Sequence, residues 1–180
     1  MDKLGNILKI DDKTKVKTFK KGELIQSSQI NSTLVYYVKK GILRSYTIDD
    51  KGKEHVLIFA SEDWLIADSD TDEFKLPNEV YIDCVEDAEV YIFDKEKLSS
   101  REYTNEELKQ NNKFLERRIA VLQQRVIMLM SVSAKDRYNK FLLSHPTLPN
   151  RVPQHMIASY LGITPQALST IRGEMARHAD

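Results

Sequence analysis

A heptad repeat in the second half of the chain constrains its fold more than any other feature. Between residues 108 and 133, leucine recurs every seven residues at position d, and Asn112, Ile119, Val126 and Ser133 occupy position a. The leucines are Leu108, Leu115, Leu122 and Leu129. Most intervening residues are polar, and neither proline nor glycine interrupts the stretch. The pattern predicts one long helix with a narrow apolar stripe.

A stripe limited to positions a and d pairs best with a second helix of the same kind. We therefore predict a homodimer joined by a two-stranded coiled coil. Asn112, buried at an a position, would fix the register of the two helices at some cost in stability. The alternative is a long helix that lies only against its own domain. The sequence patterns before and after this helix differ, so we expect one domain on each side of it.

The composition excludes several classes of protein. The chain has 180 residues, enough for one medium or two small domains, and its 27 basic residues balance 27 acidic residues. It is therefore not a nonspecific polycation. Its one cysteine, Cys84, excludes an intrachain disulfide framework and an iron–sulfur cluster held by about four thiolates. Since no run of about 18 apolar residues is present, we expect a cytoplasmic protein without a membrane partner.

The region before the long helix has the period of β-strands. Six short segments rich in Val, Ile and Tyr lie between residues 16 and 94, and Gly22, Gly41 and Gly52 stand in the turns between them. The segments are VKTFKKGELI, LVYYVKKG, ILRSYTID, KEHVLIFA, EVYIDCVE and AEVYIFD. This pattern predicts a β domain of about eight strands, built as a sandwich, jelly roll or barrel.

The region after the long helix is predicted to be helical. A helix is predicted over 134–144, and two prolines make 145–150 a loop. Next come a helix from Gln154 to Leu161, a turn at Gly162, and a second helix that Thr164 caps and Pro165 begins.

The spacing of small and apolar residues in these two helices is typical of a helix-turn-helix. Ala158 is small where the second helix would cross, and Leu168 and Ile171 follow as apolar anchors. The outward stripe of the second helix is free of acids: Pro165, Gln166, Ser169, Thr170, Gly173 and Arg177. From Lys135 onward, six basic residues face three acidic ones, which favours contact with phosphates. The alternative is a small three-helix unit that binds no nucleic acid.

A β-roll, a long dimer helix and a C-terminal helix-turn-helix, in this order, resemble the Crp/Fnr family of bacterial transcription regulators. The resemblance covers nearly the whole chain. Its motifs are Gly22-Glu23, Lys40-Gly41, the hairpin Asp50–Gly52, the leucine heptads and the set Ala158, Gly162, Leu168 and Ile171.

The resemblance implies an α+β fold with an N-terminal double-stranded β-helix (jelly-roll) domain. It implies a β-roll sensor domain over 1–103, a dimerisation helix over 104–134 and a helix-turn-helix domain over 135–180. The partners it implies are a second copy of the chain, double-stranded DNA with a two-fold operator, and a small-molecule effector in the roll.

The effector site departs from the family pattern. Members that bind cyclic nucleotides carry a Gly-Glu pair followed by an Arg that pairs with the phosphate. The stretch over 59–83 has no glycine, places Asn78-Glu79 where that Arg is expected, and is crowded with acids. Because carboxylates repel an anionic phosphate, we predict that neither cyclic AMP nor cyclic GMP binds. Trp64 is interpreted as a core residue or, alternatively, as the lining of an apolar effector cavity.

No enzyme chemistry, metal or cofactor is indicated. Asp68-x-Asp70-x-Asp72 lacks the glycine and distal glutamate of a calcium loop and is interpreted as a solvated acidic loop. The four histidines (His55, His145, His155 and His178) form no ligand cluster with Cys84, which is interpreted as packed. No nucleophile–base arrangement or phosphate-cradling loop is visible.

The DNA-contact predictions fall on the second helix of the pair. Gln166 is predicted to read adenine, and Ser169 and Thr170 to contact bases or a thymine methyl. Thr164, Arg172 and Arg177 are predicted to contact phosphates. Two other classes stay open: a ligand-sensing module whose C-terminal helices dock a protein, and a cupin-like enzyme. The second needs clustered His and Glu in the roll, where only His55 is offered.

Overall fold

The computed structural model describes residues 3–11, 13–27, 33–67, 80–130 and 133–177, and within it the fold is α+β. Two four-stranded antiparallel sheets form the N-terminal half, and helices form the rest. The predictions made for the acidic loop 68–72, for Asn78-Glu79 and for His178 lie outside the described residues.

Each sheet combines strands from both ends of the β region. The strands are β1 Val16–Phe19, β2 Leu24–Gln26, β3 Leu34–Lys40, β4 Leu43–Ile48, β5 Glu54–Ala60, β6 Leu65–Ala67, β7 Tyr81–Cys84 and β8 Ala88–Asp94. One sheet has the order β1-β8-β3-β6 and the other β2-β7-β4-β5. The eight strands agree with the expected number. Strand β6 was missing from the predicted segments, because three residues are too few to show an alternation.

Glycines close two of the turns between these strands. Gly52 has φ of 77°, and its N–H donates to the Asp49 carbonyl at 2.8 Å in the β4–β5 hairpin. Gly41 has φ of 95°, and a Cβ there would lie 2.6 Å from the Asp87 carbonyl oxygen. Both the backbone angle and the lack of space therefore require glycine at position 41.

A buried arginine joins the strands of the second sheet. Arg44 in β4 is 4% exposed, and its Nε and Nη2 donate to the two oxygens of Asp83 in β7, both at 2.8 Å. Its Nη1 donates to Glu54 in β5 at 2.6 Å. The guanidinium also lies over the ring of Tyr46 at 4.2 Å. These contacts satisfy the buried charge on three sides.

The helices are α1 Lys3–Ile7, α2 Lys95–Ser99, α3 Asn105–Leu129, α4 Ala134–Ser144, α5 Gln154–Leu161 and α6 Pro165–Arg177, with a 3-10 turn at Leu148–Asn150. A capping box of Thr104 and Glu107 begins α3. The predicted heptad helix is wrong at its C-terminal end: α3 ends at Leu129, so Ser133 lies outside it. The Ser133 hydroxyl instead accepts from the Asp136 N–H at 3.0 Å and so starts a new helix.

The C-terminal helices share a core with α3 and with the two sheets β1–β8, which together are called here the roll. Met128 of α3, Phe141 of α4 and Tyr160 of α5 belong to one buried cluster with Phe59 of β5. The ring of Tyr160 lies 5.3 Å from that of Phe59 and 5.6 Å from that of Phe141. Packing of these large side chains therefore fixes where α5 lies relative to the sheet.

Ser159 adds hydrogen bonds at the free edge of β5. Its hydroxyl donates to the Glu54 carbonyl at 2.8 Å and accepts from the Val56 N–H at 3.0 Å. Strand β5 is the last strand of its sheet, so among the described residues no neighbouring strand pairs with this edge. Helix α5 thus takes the place of a strand at this point and satisfies two backbone groups that its packing removes from water.

Arg151, just before α5, joins the same helices to two turns of the roll. It donates to both carboxylate oxygens of Glu62, at 2.9 and 2.6 Å, and it also pairs with Glu86. The hydrogen bonds from Arg151 lower the pKa of Glu62 from 4.5 to about 2. The ionised form of Glu62 is therefore the one that the folded chain favours.

This shift predicts a pH dependence of stability. Because the pKa of Glu62 is lower in the folded chain, its contribution is complete above pH 4.5 and is lost as the pH falls towards about 2. We expect the difference in Tm between the wild type and Glu62→Gln to be largest above pH 4.5 and to vanish near pH 2. Thermal melts followed by circular dichroism between pH 2 and 7 measure it.

Glu116→Gln, which removes the same charge from an exposed position of α3, is the matched control and should show no such pH-dependent difference. A difference between wild type and Glu62→Gln that stays constant over the whole pH range would contradict the prediction.

Candidate nucleic-acid interface

The turn between α5 and α6 has the geometry predicted from its sequence. Helix α5 spans the predicted residues and ends at Gly162, whose φ of 64° is left-handed. The Ile163 N–H donates to the Ala158 carbonyl at 3.0 Å and closes the turn. The Thr164 hydroxyl accepts from the Ala167 N–H at 3.1 Å, and α6 begins at Pro165. Gly162 thus ends one helix, and Thr164 caps the next.

The predicted anchors hold the two helices together from inside. Ala158 and Leu168 are completely buried, and Ile171 is nearly so. They belong to the same core cluster as Ile157 and Leu161 of α5. With this set of side chains turned inward, the remaining face of α6 stays in contact with solvent.

That exposed face carries most of the predicted base-reading and phosphate residues. Gln166, Ser169, Thr170 and Arg177 are exposed along α6, at positions that share one side of a helix. The Thr170 hydroxyl donates to the Gln166 carbonyl at 3.1 Å, and Arg177 Nε donates to the Gly173 carbonyl at 3.3 Å. The structure therefore brings these side chains together on one accessible surface.

The remaining predicted contacts lie at the margins of this surface. Thr164 is exposed at the start of α6, whereas Arg172 is half-buried beside the main stripe. The first turn of α6 has no acidic residue, so no side-chain charge opposes the positive end of the helix dipole. Glu174 is the acid on α6, and it is half-buried.

One face of α3 lies against the roll. Arg118 Nη1 donates to the Leu65 carbonyl at 3.3 Å, and Arg125 Nη2 donates to the Val56 carbonyl at 2.8 Å. The Arg125 guanidinium also lies over the Tyr160 ring at 3.8 Å. Arg125 thus links α3 with β5 and α5.

The heptad face of α3 is not covered by the described residues. Its large apolar side chains are 40–56% exposed, and Asn112 is also exposed. They are Leu108, Leu115, Ile119, Leu122, Val126 and Leu129. Exposed apolar side chains that recur along one face of a helix are typical of an interaction surface.

Trp64 lies where α1, the roll and α3 meet. Its ring lies 6.4 Å from that of Phe114 in a T-shaped arrangement. Its Nε1 is buried and has no hydrogen-bond partner among the described residues. The residue is half-buried and lines a cavity of about 210 Å³ together with Leu4 and Phe114. Trp64 therefore packs against the core of the sheets beside a cavity that Asp63, Lys113 and Arg117 also line, and its role in an apolar effector cavity stays a prediction.

Cys84 is buried in the roll, and burial raises the pKa of its thiol to about 12. No group of three His, Cys, Asp or Glu side chains in the described ranges is placed to hold a metal ion. His55 pairs with Asp49 at 2.8 Å in the β4–β5 hairpin.

Among the described residues, no helix is both long and apolar enough to cross a membrane.

Several residues that position this surface were not predicted. Ser159, Arg125 and Arg151 each join α3 or the C-terminal helices to the roll, through the contacts described above. In the sequence, these three residues do not differ from other polar residues on helices or in loops. Their partners are 65 to 105 residues away along the chain, so no local pattern indicates the contacts.

Comparisons with known proteins identify the fold. No family model and no curated protein sequence matches the chain. Solved structures do match. FixK2 from Bradyrhizobium japonicum has a TM-score of 0.69 at 17% identity, with 92% of this chain and 85% of that chain covered. A transcriptional regulator of the CRP/FNR family from Thermus thermophilus has a TM-score of 0.67 at 17% identity, with 91% and 87% covered.

A third similar structure is the c-di-GMP-responsive global regulator CLP of Xanthomonas campestris. Its TM-score is 0.65 at 14% identity, with 92% of this chain and 87% of that chain covered. Each of these three matches covers more than nine-tenths of the chain. The chain therefore has the fold of the Crp/Fnr family of transcription regulators.

Proposed function

We propose that this protein is a homodimeric, sequence-specific DNA-binding transcription regulator of the Crp/Fnr type that acts in the cytoplasm. The observation that carries the proposal is the exposed, acid-free face of α6, held on α5 by a buried set of anchors. This face of α6 presents small and polar side chains to a partner without steric or charge conflict. This is the requirement for a helix that enters the major groove.

In this proposal α5 and α6 form a helix-turn-helix whose second helix reads bases. Gln166 is placed near the start of α6, and its amide can bond adenine N6 and N7 together. The Thr170 hydroxyl already donates to its own helix, so its methyl group is the part suited to a thymine methyl. Ser169 completes the base-reading set. Thr164 at the helix N-terminus, with Arg172 and Arg177, supplies phosphate contacts that fix the register.

The exposed heptad face of α3 supports a dimer. Two copies that pair along this face bury the leucines at d and the residues at a, and Asn112 meets its counterpart in the partner. Gly162 lies close to Leu129 at the end of α3, since a Cβ on Gly162 would be 3.5 Å from the Leu129 Cδ2. The pairing therefore also sets the distance between the two α6 helices.

We assign the β region, over residues 1–103, to a sensor domain of the jelly-roll type. The strand orders β1-β8-β3-β6 and β2-β7-β4-β5 support this assignment, because such an interleaved order is made by a hairpin of strands folded over on itself. The Trp64 cavity, which lies between this domain and α3, is the place to which we assign a small effector. We assign residues 104–134, which include α3, to the dimerisation segment, and residues 135–180 to the helix-turn-helix domain.

The base-reading role of Gln166 gives the first functional prediction. We expect Gln166→Ala to weaken binding to the specific operator by about 1–3 kcal/mol and to relax the preference at one base position. Fluorescence anisotropy with duplexes that vary at each position measures both effects. Gln124→Ala, which removes the same amide from an exposed position of α3, should leave affinity and preference unchanged.

An unaltered operator preference in Gln166→Ala would contradict the base-reading role of Gln166.

A salt series on the wild type distinguishes the proposal from the protein-docking alternative. A DNA reader loses affinity steeply as salt rises because phosphate contacts release counterions, whereas a protein-docking module has no such DNA affinity to lose.

The pairing of α3 gives the second prediction. We expect Leu122→Glu to shift the protein from dimer to monomer, since each leucine removed from a packed apolar interface costs about 2–5 kcal/mol and a charge replaces it. Sedimentation velocity measures the change. Leu143→Glu is the matched control, because Leu143 is 84% exposed on α4 and outside the stripe. A Leu122→Glu protein that remains dimeric would place the interface elsewhere.

The third prediction concerns the effector. We expect titration calorimetry with cyclic AMP and with cyclic GMP to give no heat of binding at micromolar concentrations, because acidic residues crowd the stretch over 59–83. Micromolar binding of either nucleotide would contradict this prediction without affecting the proposed DNA binding.

A further inference from the structure

We propose that a cavity between α3, α4 and α5 binds an amphipathic organic anion, of the class to which medium-chain carboxylates belong. This cavity, called here the α3–α4 cavity, has a volume of about 380 Å³. Volumes of about 300–1,000 Å³ are typical of small-molecule sites. The inference goes beyond the proposed DNA binding and does not depend on it.

The inner wall of the α3–α4 cavity is apolar. Met128 and Phe141, which are buried, lie beside Val121 and Tyr160, and the rings of Phe141 and Tyr160 are 5.6 Å apart. Leu143 lines the cavity too and is 84% exposed, so an apolar side chain stands in water at its rim. A hydrocarbon chain laid along this wall would remove these surfaces from water.

Two buried nitrogen atoms of lining residues lack a hydrogen-bond partner among the described residues. They are Nη1 of Arg125 and Nδ1 of His145. Buried polar atoms in folded proteins nearly always have a partner, so Arg125 and His145 each carry an unmet hydrogen-bonding group close to the cavity. The Arg125 side chain is held in this position, because its Nη2 donates to the Val56 carbonyl and its guanidinium lies on Tyr160.

The charge of the lining residues selects an anion. Arg117 and Arg125 both line the cavity, and none of its described lining residues is an Asp or a Glu. Burial lowers the pKa of His145, which keeps its ring neutral and leaves Nδ1 to act as donor or acceptor. A carboxylate in the cavity would be attracted by the guanidinium groups of Arg117 and Arg125, and an apolar tail would extend from it along Val121 towards Leu143.

The α3–α4 cavity differs from the other surfaces proposed for α3. None of the heptad residues lines it, so pairing of two copies along that stripe does not use its walls. The Trp64 cavity lies elsewhere along α3 and shares with it the rim residue Arg117. A ligand in the α3–α4 cavity would contact α3, α4 and α5 at the same time.

Calorimetry on the full chain with octanoate tests the proposal, with octan-1-ol and octylammonium as probes of the same length. We expect saturable binding of one octanoate per chain. We expect binding at least about tenfold weaker for octan-1-ol, which lacks the charge that Arg125 would bind, and none for octylammonium. Arg125→Gln should weaken octanoate binding by at least about tenfold, and Lys109→Gln, an exposed charge change on the same helix, should not.

A steric variant keeps the test decisive if Arg125→Gln does not fold. Ala120 is exposed and lines the cavity, so Ala120→Trp should abolish octanoate binding, while Glu116→Trp one turn earlier should leave it intact. Three results would overturn the proposal: no saturable binding of octanoate, equal binding of octan-1-ol, or octanoate binding that survives Ala120→Trp. None of these results bears on DNA binding, since no DNA is present.

Discussion

The structure depends on the fact that α3 has two faces and that one chain covers only one of them. Arg118, Arg125 and Met128 hold the first face against the roll and the C-terminal helices. The heptad residues of the second face remain 40–56% exposed. Water is a poor solvent for a stripe of that length, and the proposed pairing with a second copy of the same helix would cover it. The proposed two-fold arrangement of the DNA-reading helices follows from this pairing.

The second constraint is the close docking of α5 on the edge of β5. Ser159 pairs with two backbone groups of β5, Tyr160 packs on Phe59, and Arg151 joins two turns of the roll. Through these contacts the roll and the C-terminal helices share one core, unlike two domains joined only by a flexible linker. Because packed side chains have few alternative arrangements, the positions of β5 and α5 are fixed relative to each other.

Local patterns in the sequence predicted the elements well and their packing poorly. The bounds of α4 and α5, the left-handed Gly162 and the Thr164 cap follow from residue types that act within a few positions of themselves. Ser133 was misassigned because the heptad spacing continues through it, although its hydroxyl caps a new helix. The docking contacts of Ser159 and Arg151 could not be predicted, since they join residues 65 to 105 positions apart. Exposure of the α6 face and of the heptad stripe was predictable from periodicity, but the α3–α4 cavity was not.

The central claim is that two copies of the chain hold two α6 helices at the spacing of successive major grooves. Selection of bound sequences from a random duplex pool by the wild-type protein tests this claim directly. The account predicts a two-fold symmetric consensus with half-site centres about 10–10.5 base pairs apart, or a multiple of that distance. A consensus of a single unsymmetrical site, or no enrichment at all, would contradict it.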